Sequence, residues 1–159
     1  MAKIRSVRGR QVWDSRGRPT VEVEIALESG AMGRAIAPSG ASTGSREALD
    51  RRDGGSRLAG YGVNGALAAV NGEIAQRLQG LDALDQASID SALIALDGTP
   101  QKTRLGGNAI VATSQAVAWA AAAHQKIPLW QHLRGLAGLD PAHDHIPAPM
   151  IQIFGGGRH

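Results

Sequence analysis

Seven consecutive residues, Pro38-Ser39-Gly40-Ala41-Ser42-Thr43-Gly44, carry the densest run of flexible and oxygen-bearing groups in the chain. Two glycines, two serines and a threonine make a loop that can swing and expose backbone N–H groups. Its hydroxyl and carbonyl oxygens suit a hard divalent cation, and its N–H groups suit a phosphate. A second stretch, Gly155-Gly156-Gly157-Arg158-His159, ends a glycine hinge in a titratable imidazole. Such a hinge can carry the imidazole of His159 into a cleft. By composition alone the first loop also reads as an ordinary Gly/Ser connector between a strand and a helix.

The remaining chemistry is sparse. His143-Asp144-His145 could contribute metal ligands, but no third ligand lies near in sequence, and the pair reads as solvated linker. His124 and His132 fall at helix-end or exposed positions and read as capping or surface residues. Asp14, Asp53 and Asp97 each adjoin Gly or Ser, which fits turn and cap chemistry better than paired acid–base work. HExxH, Walker-A, strand-borne GxGxxG and GxSxG patterns do not occur. With no cysteine, disulfides, thiolate metal sites and a Cys nucleophile are excluded.

Composition narrows the partners. Apolar residues make up 43 % of the 159, enough for one domain with a real core. Aromatics are only 3 %, so base stacking on a nucleic acid is a poor fit. Arginines dominate the 17 basic residues but are interleaved with acids, as in Asp50-Arg51-Arg52-Asp53, and form no basic stripe. The Met1-Ala2-Lys3-Ile4-Arg5 start has no apolar core of a signal peptide, and the Ala116 to Ala123 run is too short to span a bilayer. The expectation is a cytoplasmic protein that uses neither nucleic acid nor membrane.

The elements that must position these groups are legible from period and punctuation. Ile4 to Trp13 reads as a strand ended by the turn Asp14-Ser15-Arg16-Gly17. Val21, Val23, Ile25 and Leu27 alternate with Thr20, Glu22, Glu24 and Ala26, the pattern of a half-buried strand. Ser29-Gly30 turns the chain into a third strand around Met32 to Ala37, and the short connections favour an antiparallel meander. Helices follow. Ser45 is placed to cap a short one stopped by Gly54-Gly55. Val63, Leu67, Val70, Ile74 and Leu78 form a one-sided stripe ending at Gly80. Asp85 caps a helix with Ile89, Leu93 and Leu96 inward, ended by Gly98. Asn108 opens an Ala-rich helix to about His124, and Pro128 starts a last short one.

The expected fold class is therefore α+β, a three-stranded antiparallel meander followed by a helical cluster. The domains expected are 1–138, a linker at 139–149, and the start of a further domain at 150–159. Within that last piece Met150-Ile151-Gln152-Ile153-Phe154 reads as a buried strand with no partner in the first domain.

A series of short motifs resembles the enolase (phosphopyruvate hydratase) family. They are Asp14-Ser15-Arg16-Gly17, Pro19-Thr20-Val21-Glu22, the Pro38 to Gly44 loop, Glu47-Ala48, Arg52-Asp53-Gly54, Leu96-Asp97-Gly98-Thr99, Asn108-Ala109-Ile110, and Gly156-Gly157 with His159. They fall in order at family-like spacing over essentially the whole chain. The resemblance implies an N-terminal capping domain followed by a modified α/β barrel, whose first strand would begin near Ile146. It implies interconversion of 2-phosphoglycerate and phosphoenolpyruvate with two Mg²⁺ ions, in a homodimer. Ser39 matches the loop serine that ligates the second Mg²⁺. Gly40, Ala41, Ser42 and Thr43 then belong to the lid over the phosphorylated three-carbon acid, and His159 matches the mobile-loop histidine that contacts it.

The family's base, acid and first-metal carboxylates lie in the barrel, so these residues are expected to be incomplete for catalysis alone. The chain departs from the family pattern at Arg18, Arg51, Gly55, Tyr61 and Gly107, and again at Gln152, Phe154 and Gly155. The last three flank His159 and open a second reading, a paralogue acting on a phosphonate, as in carboxyphosphonoenolpyruvate synthesis. A third is a non-catalytic dimerisation or interaction module.

Overall fold

The computed structural model describes residues 2–37, 40, 44–139, 146 and 148–154. Three strands, β1 (Ile4–Trp13), β2 (Pro19–Leu27) and β3 (Met32–Ala37), pair antiparallel in the order β1-β2-β3. The first turn is held by Asp14, whose carboxylate accepts from the Arg16 and Arg18 backbone N–H groups at 2.8 Å each. This is an Asx-type turn, which the Asp-Ser-Arg-Gly run encodes locally.

Register divides the sheet into two faces. Val21, Val23 and Ile25 lie across from Gln11, Gly9 and Val7 on one side and from Ala37, Ala35 and Gly33 on the other. The opposite face carries Arg8, Arg10, Glu22, Glu24 and Arg34. The alternation in β2 predicts a half-buried strand, yet only Glu24 in it is less than fully buried. The difference follows from its central place. Glu22 is roofed by Arg10, which donates to it, and by Arg34 at 3.6 Å, while the Thr20 hydroxyl donates to the Ala37 carbonyl. Long arginine stems cover polar positions as effectively as apolar side chains do.

The helices follow as α1 (Asn64–Ala69), α2 (Ala75–Leu78), α3 (Gln86–Asp97), α4 (Gly107–Gln125) and α5 (Leu129–Leu136). Between α1 and α2 the helix widens into a π turn at Val70–Ile74. The stripe from Val63 to Leu78 explains why. It advances by four residues at three of its four steps, whereas an α-helix repeats about every 3.6. A wider turn keeps Val70, Ile74 and Leu78 on the core side, where all three are fully buried. The π turn also aims Asn71 at the exposed edge of β1. Its side-chain oxygen accepts from Gly9 N–H at 2.8 Å, and its amide donates to Gly9 C=O at 3.1 Å. An edge strand is thereby given the two partners it lacks.

The Asp85 cap is as expected: its carboxylate accepts from Ser88 N–H, and α3 ends at Gly98 with φ of 73°. Pro128 is extended and precedes α5 rather than opening it, while its carbonyl accepts from Gln131 and His132 N–H.

Two expected elements are absent. No helix forms between Ser45 and Asp53. The backbone there is claimed by other partners: Leu49 N–H donates to Gln101 C=O, and Gly107 N–H donates to Leu49 C=O, both at 2.8 Å. Glu47 folds back to accept from Gly44 N–H at 2.8 Å. Tertiary bonds override a good local helix sequence. Residues 150–154 do not form the expected buried strand either; Met150, Ile151, Ile153 and Phe154 are 80 % or more exposed. Among the described residues no strand pairs with them, and a strand without a neighbour leaves its backbone to water.

The layer under the sheet is α4. Ala109, Ala112, Ala116, Ala120 and Ala121 are buried in it, and Gly33 of β3 meets it so closely that a Cβ there would overlap Ala120 N and Ala116 O. The obstacle is main chain, which cannot rotate away. Gly33→Ala is expected to lower the stability of the chain by at least about 3 kcal/mol, read from the urea midpoint. Gly72 has nothing within 4 Å of its notional Cβ, so Gly72→Ala should leave the midpoint unchanged or raise it by up to about 1 kcal/mol.

Candidate functional site

Three segments that the fold brings together enclose a cavity of about 480 Å³. They are the end of β3 at Ala37 with Gly40 beyond it, the extended stretch Glu47 to Arg52, and the start of α4 at Gly107, Asn108 and Val111. What joins them is Asn108, which is 2 % exposed. Its side-chain oxygen accepts from Arg51 N–H at 3.1 Å, and its amide donates to Arg51 C=O at 3.2 Å. One side-chain amide thus pairs with both backbone groups of one residue, as a neighbouring strand would. Buried, such a pair has no water to fall back on and fixes the extended stretch against α4.

The wall carries charge. Arg52 Nη2 lies 2.8 Å from Asp50, and its Nη1 donates to Pro19 C=O at 2.5 Å and to Tyr61 C=O at 3.0 Å. Glu47 accepts from Gly44 N–H, which ties the far end of the Pro38 to Gly44 loop to the same wall. Behind the wall, Asp53 accepts from Asn64 N–H, Asn64 Nδ2 and Gly65 N–H, each at 2.9 Å, and so caps α1 from outside the helix. The cavity is therefore a polar-rimmed pocket with a carboxylate, an ion pair and a buried amide, set beside the loop that the sequence singles out. That arrangement can position a hydroxylated small molecule.

Of the residues expected in the site, the structure places Gly40, exposed and on the cavity lining. Ser39, Ala41, Ser42, Thr43 and His159 lie outside the described residues. Glu47, Asp50, Arg52 and Asn108 were not singled out for a role by sequence, although three of them sit in motif blocks that carry the family resemblance. Their common signal is that these blocks, far apart in sequence, converge on one cavity. Among the described residues no group of three or more His, Asp or Glu could hold a metal ion. Glu47 and Asp50 are each already bonded, so the described residues do not assemble a Mg²⁺ site by themselves.

The two helix-end histidines differ from their sequence reading in opposite ways. His124 is a tie, its Nδ1 2.9 Å from the Ser29 hydroxyl in the β2–β3 turn. His132 is not a surface residue: it is 5 % exposed, with Nδ1 2.7 Å from Gln125 Oε1 and Nε2 unpartnered. It follows Pro128 on the buried side of α5, where the short helix packs back onto the end of α4. Burial pushes its pKa below the ordinary 6.5.

Two departures from the family pattern prove to be neighbours. The Arg18 guanidinium lies over the Tyr61 ring, 4.5 Å from its centroid. Arg51, a third, donates from its side chain to Arg104 C=O at 2.7 Å.

A three-stranded meander backed by helices, with a cavity at the hand-over from β3 to the helical layer, defines an α+β domain with a largely apolar pocket rimmed by a few polar side chains. Residues 4–133 match the family described as Enolase, N-terminal domain, and the chain belongs to that family. Within the described residues no helix is long and apolar enough to cross a membrane.

Two groups make stability depend on pH in separate windows. The first is His132, whose folded pKa is depressed, so the unfolded chain binds the proton more readily. Stability should fall as pH drops below about 6.5 and keep falling until the folded value is passed. The second is the set of hydrogen-bonded carboxylates. Asp53 is held below 3.8 chiefly by the Gly65 N–H; Asp97 is raised by burial but lowered further by N–H groups of Leu105 and Thr99. Their contribution is present above about 3.8 and lost as pH falls through the folded values. Urea midpoints measured from pH 8 to 3 should show both phases, and His132→Gln should flatten the upper one only.

Proposed function

We propose that the chain is the N-terminal part of an enolase-type lyase that interconverts 2-phosphoglycerate and phosphoenolpyruvate. In this reading it supplies the lid and one metal ligand, while an α/β barrel supplies the base, the acid and the remaining carboxylates. The observation that carries it is the position of the cavity: it lies between the anchored ends of the Pro38 to Gly44 loop, bounded by Ala37 and Gly40 on one side and by Glu47 on the other. A Gly/Ser-rich loop whose flanking residues border a pocket suits closure over a ligand and exclusion of water.

The roles proposed for this chain's own residues are few. The Ser39 hydroxyl is one hard oxygen ligand to a Mg²⁺, which when bound stabilises the charge that develops on the substrate carboxylate. Gly40, Ala41, Ser42 and Thr43 form the lid. His159, at the end of its glycine hinge, contacts substrate. Residues 139–149 are the linker, and 150–159 begin the barrel, where the exposed Ile151, Ile153 and Phe154 find the strand neighbours they lack here. The protein works as a cytoplasmic homodimer.

Gln152, Phe154 and Gly155, which depart from the family pattern beside His159, favour one second reading: a paralogue that takes a phosphonate instead of 2-phosphoglycerate. The test is turnover of 2-phosphoglycerate by the chain joined to, or co-expressed with, an enolase-type barrel carrying intact carboxylates. Turnover is expected only with the barrel and only with Mg²⁺. Ser39→Ala should lower kcat/KM by about two orders of magnitude, as loss of a metal ligand does. Unchanged Mg²⁺ dependence in that variant removes Ser39 from the site. No turnover of 2-phosphoglycerate in the joined protein, with turnover of a phosphonate analogue, moves the second reading ahead.

A further inference from the structure

Among the described residues the guanidinium of Arg52 is the one cation on the cavity lining, and a free arginine side chain there would sample many positions. It is held at three points: Asp50 by one end, and the Pro19 and Tyr61 carbonyls by the other. Those two carbonyls belong to segments that are distant in sequence, one at the start of β2 and one after an irregular turn. Pro19 follows the Asp14 to Arg18 turn. Tyr61 follows a turn in which Leu58 and Ala59 both adopt left-handed backbone, φ 52° and 51°. Two successive non-glycine residues in that region are strained, at about 1–2 kcal/mol each, and persist only when surroundings impose them.

Tyr61, which ends that turn, is held in its place by the other segment. Arg18, adjacent to Pro19, stacks on the ring of Tyr61 at 4.5 Å. The residue pair Arg18-Pro19 therefore meets Tyr61 twice, once through the guanidinium on its ring and once through the Arg52 head shared by the Pro19 and Tyr61 carbonyls. Arg52 itself lies 6.0 Å from the same ring centroid. A guanidinium over an aromatic face is attracted by the ring quadrupole, and the planar stack holds it in a defined orientation.

We propose that Arg18 and Tyr61 are positioning residues for the cavity, a stacked pair that fixes the two carbonyls gripping Arg52 and so fixes the Arg52–Asp50 pair on its wall. Nothing in this depends on which reaction the cavity serves. The wall gains a cation of set position beside the Asp50 and Glu47 carboxylates. Breaking the stack frees the Tyr61 carbonyl, loosens the head of Arg52, and leaves Asp50 with a mobile partner.

The test uses the 159-residue chain and the hydrogen exchange of the Arg52 side-chain Nη1 and Nη2 hydrogens, the ones that make the three bonds, followed by NMR together with the amides of Val23, Ile74 and Ala120 in the core. Tyr61 is 36 % exposed, so Tyr61→Leu leaves the core intact. Tyr61→Leu and Arg18→Asn are each expected to speed Arg52 exchange about tenfold while the core amides stay within about twofold. Tyr61→Phe, which keeps the ring and the carbonyl, is expected to match the parent. Unchanged Arg52 exchange in Tyr61→Leu overturns the proposal. So does an equal acceleration of the core amides, which would make the stack a general brace, or a Phe variant as fast as Leu, which would put the effect on the hydroxyl. A failed turnover assay leaves this outcome untouched, so the two readings fail separately.

Discussion

The close approach of α4 to the sheet is the constraint on which the rest of the domain depends. Gly33 lets β3 rest on the backbone of Ala116 and Ala120, and the alanines of α4 leave no side chain between helix and strand. Helices and sheets usually meet through interdigitated large side chains; here the contact is nearly main chain on main chain. That geometry decides where α4 begins. It places Gly107 and Asn108 beside the end of β3, where the pocket opens between them. Gly9 does the same service at the other edge, where a Cβ would strike Val70 at 2.8 Å. The meander is thus gripped from both ends by close contacts that tolerate little change in side-chain volume.

The pocket itself is assembled from backbone groups claimed at a distance. Leu49 is paired with Gln101 and Gly107, Arg51 with Asn108, and Asp53 with Gly62, whose C=O accepts from Asp53 N–H at 2.8 Å. The stretch from Glu47 to Asp53 therefore behaves as a strand that has no sheet. It is satisfied instead by a helix start and two loops, in keeping with the near-complete pairing that buried backbone demands.

Much of this was legible in the chain, and the reasons it was or was not are physical. The meander, the Asp85 cap and the Val63 to Leu78 stripe were readable because their signals are local: period, cap and turn residues within one element. The stripe even carries the π turn in its spacing, since a run of four-residue steps cannot stay on one face of a regular helix. The stretch after Ser45 was misread as helix because its fate is settled by Gln101, Gly107 and Asn108, more than fifty residues on. His132 was misread as a surface residue for the same reason, its burial being decided by how α5 folds back after Pro128. The cavity was half legible: the loop was found by its composition, but Glu47, Asp50, Arg52 and Asn108 have ordinary types and acquire a role only through convergence.

The arginine-rich composition gains a structural meaning from these contacts. Arg10 and Arg34 roof Glu22, Arg104 binds Glu73 and the carbonyls at the end of α3, Arg51 reaches the Arg104 carbonyl, and Arg18 and Arg52 meet at Tyr61. In each case the guanidinium does what a missing aromatic or a missing strand would do elsewhere, covering a polar surface or binding several carbonyls at once. A lysine offers one compact charge and could not span the Pro19 and Tyr61 carbonyls while also reaching Asp50. Arg10, Arg18, Arg34, Arg51, Arg52 and Arg104 are thus each committed to contacts within the fold or on the pocket wall.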